Sequence, residues 1–570
     1  MSEHNLRAKV LIEELLRLGV DYFCLAPGSR VTPFTHAIAY NEACEDFIHF
    51  DERGLAFHAL GYGKAMKRPA PIFITSGSSL ANVFPAVIEA YQSQTPLMIF
   101  SADRPYEQRD CRSNQTIDQV KFFHQYVHWH QDLPLFDEGT SFDFLASTID
   151  RAYFQSLKGP VHLNCQFREP FLTKSSLNDL NNYQDWKEKS KSHTVFFQKK
   201  NTLVTKPHLD PSKRGIIICG RDITPSEFKS ILKLAKKLRW PILPDIVSTG
   251  RFGFESPVIP YFDLILKNAP QFEIESVLHF KDAFTSKTLL QDLKKRELHS
   301  YQVVTDLELN IDPNLKPSEC YNTDIETFCE QLELSKDPVD TSWLESWNLK
   351  NNRIHSYLDS FFQLNSSISE PFTIRHAFEV SKPGDLFYIG ASMPIRDALA
   401  FGFAPHSLQI YSNRGASGID GNLSTAFGLS QALDQPITIL IGDLTLLYDL
   451  NSLAQVNDLK HAPKIIVLNN SGGGIFSFLP IAKDPKILKR YFQTEHSYDF
   501  ENAAKQFNLN YLNPKNFSDL SNCLQSENRV PLLIEVETNS DKNSFLHKQI
   551  DKGLNRCFFE KSMEKEKIQL

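Results

Sequence analysis

Gly442-Asp443-Leu444 follows the apolar run Ile437–Ile441, and Asn469-Asn470 follows the next run, Ile465–Leu468, with 25 residues between Asp443 and Asn469. A hard divalent cation takes several oxygen ligands in near-octahedral geometry. Asp443 offers a carboxylate and Asn470 an amide oxygen, and at the ends of neighbouring strands the two would face a common point. Gly472 follows Ser471 and opens the run Gly472-Gly473-Gly474, whose permissive backbone can turn a carbonyl toward the same point. Diphosphate oxygens and water would fill the remaining positions, which makes a Mg²⁺–diphosphate site. An Asp capping a helix and an Asn in a turn would leave the same letters; the strand context favours the site.

Those residues need a sheet to hold them. Leu386–Ile389 leads into Gly390-Ala391-Ser392, and Gln409–Tyr411 leads into Ser412-Asn413-Arg414-Gly415, so the C-terminal part reads as alternating strands and helices. Residues 1–105 keep the same rhythm, with apolar runs Val20–Ala26, Phe47–Phe50, Pro71–Thr75 and Leu97–Ser101. Helical stretches precede and separate them: one carrying Leu11, Leu15 and Leu18, one from Thr32, then Leu55–Ala65 and Leu80–Tyr91. The loops after these runs hold Pro27, Ser29 and Arg30, then Glu52, then Ser76 and Gly77, then Arg104. In open α/β sheets, ligands sit at the carboxyl ends of the strands.

A third unit lies between, with strands Gly215–Cys219, Ile242–Asp245, Val277–Phe280 and Gln302–Thr305 and a helix Ser226–Leu238. The expected fold class is α/β, with three doubly wound parallel-sheet domains at 1–185, 215–345 and 346–570. Residues 186–214, with eight Lys/Arg and two Asp/Glu, read as a solvated linker. A second, mixed boundary runs from about Leu332 to Asn352, and the charged last twenty residues are expected to fray apart from Phe558 and Phe559.

Composition narrows the function. The 570 residues are 41% apolar and carry a net charge of -7, so nothing favours a nucleic-acid or anionic-membrane partner. No apolar run approaches the ~20 residues of a membrane span. Nine scattered Cys without a CxxC pair fit a reducing, cytoplasmic setting. His124, His128 and His130 have metal-ligand spacing but no acidic or thiol partner nearby, and read as a polar helix face. Gly61-Tyr62-Gly63 lacks the third glycine of a dinucleotide fingerprint, and there is no Walker-type loop or Gly-x-Ser-x-Gly elbow.

Gly-Asp followed at this spacing by Asn-Asn resembles the signature of thiamine diphosphate (ThDP) enzymes. The closer resemblance is to the family of 2-succinyl-5-enolpyruvyl-6-hydroxy-3-cyclohexene-1-carboxylate (SEPHCHC) synthases. It is carried by Ala-Pro-Gly-Ser-Arg-Val-Thr-Pro (26–33), Phe-Asp-Glu-Arg-Gly-Leu (50–55), Ser-Ala-Asp-Arg-Pro (101–105) and Asn114-Gln115. Ser392 to Arg396, residues 411–421, residues 442–451 and Ile-Phe-Ser-Phe-Leu-Pro (475–480) extend it. The resemblance is dense over both ends of the chain and thin over the middle.

The resemblance implies that the three units are pyrimidine-binding, central and diphosphate-binding domains, working as a homodimer or homotetramer with the site between subunits. It also implies ThDP and Mg²⁺, or Mn²⁺ in its place, as the cofactors. The implied reaction joins 2-oxoglutarate to isochorismate with loss of CO₂, a step of menaquinone or phylloquinone biosynthesis. A ThDP enzyme using another 2-oxo acid, and a ligand-binding descendant without turnover, are the competing readings. By the same resemblance, Glu52 would hydrogen-bond the aminopyrimidine ring; a first-turn helix acid is its ordinary alternative. Pro27, Ser76, Gly77, Ser417, Gly418, Gly442, Leu444, Ile475 and Phe476 would contact the cofactor, and Ile419 would wedge behind it. Asp443, Asn470 and Gly472 would hold the metal.

Both substrates are dianions, which suits guanidinium, a planar fork that stays charged. The family pattern implies that Ser392 and Arg396 hold the 2-oxoglutarate part and that Arg414 stands near both substrates. Ser29, Arg30, Arg104, Asn114, Gln115 and Lys287 would face isochorismate, and Leu479 would complete the apolar wall. Around Lys287 the stretch 280–287 lacks the Gly-rich turn usual in the family.

Overall fold

The computed structural model describes residues 5–567 apart from 138, 173–174, 190, 198–202, 204, 270–271, 308–309, 336–341, 366 and 527–529, and side chains up to 558. Strands form where short apolar runs stand between turn formers. In the first part these are β1 (Tyr22–Leu25), β2 (Glu45–Ile48), β3 (Pro71–Ile74), β4 (Leu97–Asp103), β5 (Trp129–Asp132) and β6 (Pro160–Gln166). They form one parallel sheet in the order β2-β1-β3-β4-β6-β5. Every residue of β1, β3, β4 and β6 is buried, as expected for a sheet covered on both faces.

The short strand β7 (His208–Leu209) precedes the middle sheet of β8 (Gly215–Cys219), β9 (Ile242–Pro244), β10 (Ser276–Phe280), β11 (Ser300–Thr305) and β12 (Glu319–Asn322). Its order is β12-β11-β10-β8-β9, and β13 (Glu333–Leu334) pairs back onto β7. The third sheet comprises β14 (Leu386–Ile389), β15 (Gln409–Tyr411), β16 (Ile437–Gly442), β17 (Lys464–Asn469), β18 (Asn510–Leu512) and β19 (Leu532–Glu537). Its order, β15-β14-β16-β17-β19-β18, repeats that of the first sheet strand for strand. The expected α/β class with three parallel sheets holds. The likeness of the two ends in sequence rhythm is a shared topology.

In both six-stranded sheets the order reverses at the first strand, between β1 and β3 and between β14 and β16. Such switch points open the crevices where α/β proteins bind ligands. The two sheets meet through the helices that follow their second strands, Glu52–Met66 and Asn422–Leu433. A Cβ on Gly61 would lie 2.0 Å from the Thr425 carbonyl oxygen, and one on Gly428 would lie 1.9 Å from that of His58. The glycines of Gly61-Tyr62-Gly63 therefore serve backbone contact, Gly63 against Pro96, and bind no nucleotide.

Some elements depart from expectation. Leu80–Tyr91 is two helices, Ser78–Asn82 and Phe84–Gln92, because Pro85 in the first turn of the second has no amide to continue the first. The histidines do not share a helix face. His124 opens a single 3₁₀ turn and His130 lies in the edge strand β5, paired with β6. The strands β5, β6, β7, β12, β13, β18 and β19 lie outside the runs read as strands from the sequence. Residues 186–187 end the helix Leu177–Lys187, where Tyr183 and Trp186 are buried against the first sheet and Arg17 lies 4.0 Å above the Trp186 ring. A single helix, Ser342–Leu364, crosses the second boundary region; Trp343 Nε1 donates to Gly215 O at 2.7 Å, and Trp347 stacks on Phe272. Residues 551–567 do not fray into coil. They continue the helix Ser540–Lys567, with Ile550 and Leu554 buried in the core and Phe558 packed against it; the side chain of Phe559 lies outside the described residues.

Candidate active site

At the switch point of the third sheet, β16 delivers Gly442 and Asp443, and β17 delivers Asn469 and Asn470. Asp443 starts a short helix, Asp443–Tyr448. Its Oδ1 accepts from the Leu444 amide at 2.7 Å and its Oδ2 from the Gly472 amide at 2.8 Å, with His496 Nε2 3.2 Å away. Burial pushes the Asp443 carboxyl up, and those amides and His496 draw it back. Gly472 has φ +144°, and a Cβ there would meet the Gln493 carbonyl oxygen at 2.3 Å, so no other residue fits this loop. Asn470 Nδ2 donates to Glu370 Oε1 at 2.9 Å, while its Oδ1 is buried with no hydrogen-bond partner.

These residues border a cavity of about 360 Å³. Gly442, Asp443, Leu444, Asn470 and Gly472 form one side, and Ile419, Ile475 and Phe476 an apolar side. Ser392, Arg396, Arg414 and Ser417 line the rest. Arg396 opens onto the cavity, and Arg396 and Arg414 form no ion pair with described residues. Removal from water draws both guanidiniums below their ordinary value, and at Arg414 the nearby Arg221 and Arg396 add to this.

The loop bearing Arg414 and Ser417 is held from both other parts of the chain. Buried Glu89 accepts from the amides of Gly415 at 2.9 Å, Ala416 at 2.6 Å and Ser417 at 3.3 Å. Arg221, ion-paired with Asp282 at 2.5 Å, donates to the Arg414 carbonyl. Further along, Asp449 accepts from the Gly421 and Leu423 amides at 2.7 and 3.2 Å, and burial pushes it up to about 7. Gly418 turns away from the main cavity and borders a smaller one with Phe57 and Glu89.

A second cluster occupies the switch point of the first sheet. Arg104 donates to Ser76 Oγ, to the Asn114 carbonyl and, at 3.0 Å, to the Gln115 carbonyl. Gln115 Nε2 donates to the Ser76 carbonyl at 3.0 Å, and the Gly77 amide to Gln119 Oε1 at 3.0 Å. Arg30 donates to the Phe167 carbonyl at 2.5 Å and to Glu169 at 3.0 Å; burial, then Arg104, draws its pKa down. Pro27 and Ser29 are exposed at the mouth of this cluster.

Glu52 begins the helix Glu52–Met66 and accepts from Asn82 Nδ2 at 3.0 Å. It does not line the cavity of its own chain, and neither does any other residue of the first sheet's loops. Leu479 follows the 3₁₀ turn Gly474–Phe478, outside the cavity lining. Lys287 is exposed at the start of the helix Lys287–Lys295, again outside that lining. In the preceding stretch Lys281 adopts φ +66° without a glycine, and Asp245 accepts from the Thr285 side chain at 3.2 Å.

Glu370, Glu89, Asp449 and Arg221 carry no signal in the sequence. Each looks like a routine helix or loop residue until its burial and partners are seen. Among the described residues no three His, Cys, Asp or Glu side chains cluster as a metal site. The mixed oxygen set does fit a divalent cation. The orphaned Asn470 Oδ1, the Asp443 carboxylate and the sharply turned Gly472 backbone are hard donors of the right chemistry.

Comparison with known proteins identifies the family. Residues 7–122 match the N-terminal thiamine pyrophosphate-binding domain of thiamine pyrophosphate enzymes, residues 178–387 the middle domain, and residues 398–536 the C-terminal binding domain. The chain is 35% identical to the SEPHCHC synthase of Rubrobacter xylanophilus over 96% of its own length and 98% of that protein's. It is 36% identical to the synthase of the same name from Salinibacter ruber, over 96% of each chain. The chain belongs to the SEPHCHC synthase family. The matches put Asp443, Asn470 and Gly472 in the C-terminal thiamine pyrophosphate-binding domain and Arg30 and Arg104 in the N-terminal one. No helix among the described residues is long and apolar enough to cross a membrane.

Proposed function

We propose that this chain joins 2-oxoglutarate to isochorismate with loss of CO₂, forming SEPHCHC for menaquinone or phylloquinone biosynthesis in the cytoplasm. The observation that carries the reading is one cavity in which an oxygen cradle for a cation faces two guanidiniums free of ion pairs with described residues, Arg396 and Arg414. Asp443, Asn470 Oδ1 and the Gly472 backbone would hold Mg²⁺ or Mn²⁺, and Gly442, Leu444 and Ser417 would hold the diphosphate. When bound, ThDP supplies the carbanion chemistry of decarboxylation and ligation.

The chain's own groups do the rest. Ser392 and Arg396 grip the carboxylates of 2-oxoglutarate, and Arg414 reaches toward both substrates. Ile419, Ile475, Phe476 and Leu479 would keep water away from the reacting groups, which limits unwanted protonation there. Arg30, Arg104, Ser29, Asn114, Gln115 and Lys287 receive isochorismate. Glu52, which accepts from Asn82, would hydrogen-bond the aminopyrimidine ring, and Pro27, Ser76, Gly77 and Gly418 would contribute to holding the cofactor. Because Glu52 and the cavity are apart in one chain, this reading needs two copies, as a homodimer or homotetramer. Residues 1–185, 215–345 and 346–570 then act as pyrimidine, central and diphosphate domains, with 186–214 as the linker.

The test is loss of isochorismate absorbance on mixing protein, 2-oxoglutarate, ThDP and Mg²⁺. Loss that requires both substrates and the cofactor supports the assignment. Consumption of pyruvate in place of 2-oxoglutarate overturns it in favour of another ThDP carboligase.

A further inference from the structure

We propose that Glu370 is a positioning residue for the cation site, fixing the Asn470 amide so that its oxygen is presented to the metal. This role rests on the cation-site reading of Asp443, Asn470 and Gly472. An asparagine amide has nearly the same shape either way round, so its orientation is set by what each end meets. Glu370 Oε1 accepts from Asn470 Nδ2 at 2.9 Å and from Thr538 Oγ1 at 3.2 Å. A carboxylate oxygen already taking two donors offers nothing to an amide oxygen, so the oxygen end points away. There Asn470 Oδ1 is buried and unpartnered, an arrangement that native interiors avoid unless a ligand uses the atom.

The surroundings reinforce this. Gly474 closes one flank, since a Cβ there would stand 2.6 Å from Asn470 Nδ2. Glu370 opens the helix Glu370–Glu379 and is 1% exposed, beside the fully buried Asp397. His547 faces this pair, 3.1 Å from Asp397 Oδ1, and Arg396, the residue before Asp397, feels that carboxyl's charge. Partners of this kind behind a metal ligand are commonly worth ~10–100-fold in affinity.

The experiment measures binding, not turnover. Mn²⁺ is titrated into the full-length chain with ThDP present, and free Mn²⁺ is followed by electron paramagnetic resonance. E370Q, which keeps size but can turn an NH₂ toward Asn470, is expected to weaken Mn²⁺ by ~10–100-fold, with unchanged circular dichroism and apo melting temperature. E370D, one methylene short of Asn470, should weaken it about as much and serves if E370Q fails to fold. T538V, which leaves the Asn470 contact intact, should change it by less than about threefold. A folded E370Q or E370D binding within about twofold of wild type overturns the role of Glu370. If wild type binds no Mn²⁺, or N470A binds as well as wild type, the cation site itself is wrong and the proposal falls with it.

Discussion

The first and third sheets share one strand order, yet their switch points are finished differently. At the first, Arg104 and Arg30 are tied to carbonyls and side chains of their own neighbourhood, and Gln115 and Gly77 complete the net. At the third, Asn470 Oδ1 has no partner, and Arg396 and Arg414 form no ion pair with described residues. Topology therefore sets where a ligand can sit, while loop chemistry sets what kind. The pre-tied edge presents a rigid cationic surface; the open edge holds polar groups that only a ligand satisfies.

The largest expected effect tests whether the first edge supplies the catalytic proton function. Glu52→Gln should cut turnover by ~10²–10⁴-fold, with ThDP binding, followed by fluorescence quenching, nearly unchanged; near-normal turnover would erase the division of labour. Next come the arginines. Arg396→Ala should raise the KM for 2-oxoglutarate by ~10–100-fold and leave that for isochorismate nearly unchanged. Arg104→Ala should do the reverse, and matching effects of both on both substrates would merge the two edges into one.

The joint between the sheets can be strained directly. Gly428→Ala places a methyl group against the His58 carbonyl and should cost about 1–3 kcal/mol in denaturant unfolding; an unchanged midpoint would mean the helices part freely. A further test concerns pH. Asp449 titrates near 7 when folded and near 3.8 when unfolded, so between these values the folded state holds the extra proton. Stability falls as pH rises from about 4 to about 7 and levels above that. Asp449→Asn should flatten this part of the curve; an unaltered slope would remove Asp449 as its source.

The sequence made the edges readable because charged, glycine and hydroxyl residues stand just after apolar runs. It left their supports unreadable. Glu89 meets Gly415, and Glu370 meets Asn470, across stretches of chain that no local pattern links. β6 and β19 were hidden for a related reason: His162, Asn164 and Glu535 interrupt their apolar run, although all three are buried and hydrogen-bonded. Glu535 steadies Asn469 at 2.6 Å from the neighbouring strand, so a residue that weakened the strand signal helps hold the site. The histidine group misled because His130 belongs to an edge strand with little apolar alternation.

The Gly61–Gly428 crossing has a consequence for motion. With carbonyl oxygens seated where side chains would otherwise act as rollers, neither helix can slide along the other without steric collision. The two crevices of a single polypeptide are thus kept at a set separation, like jaws pinned to one frame. On the proposed two-copy arrangement, a molecule gripped at both ends spans from one frame to the next, and each copy serves as half of two vices.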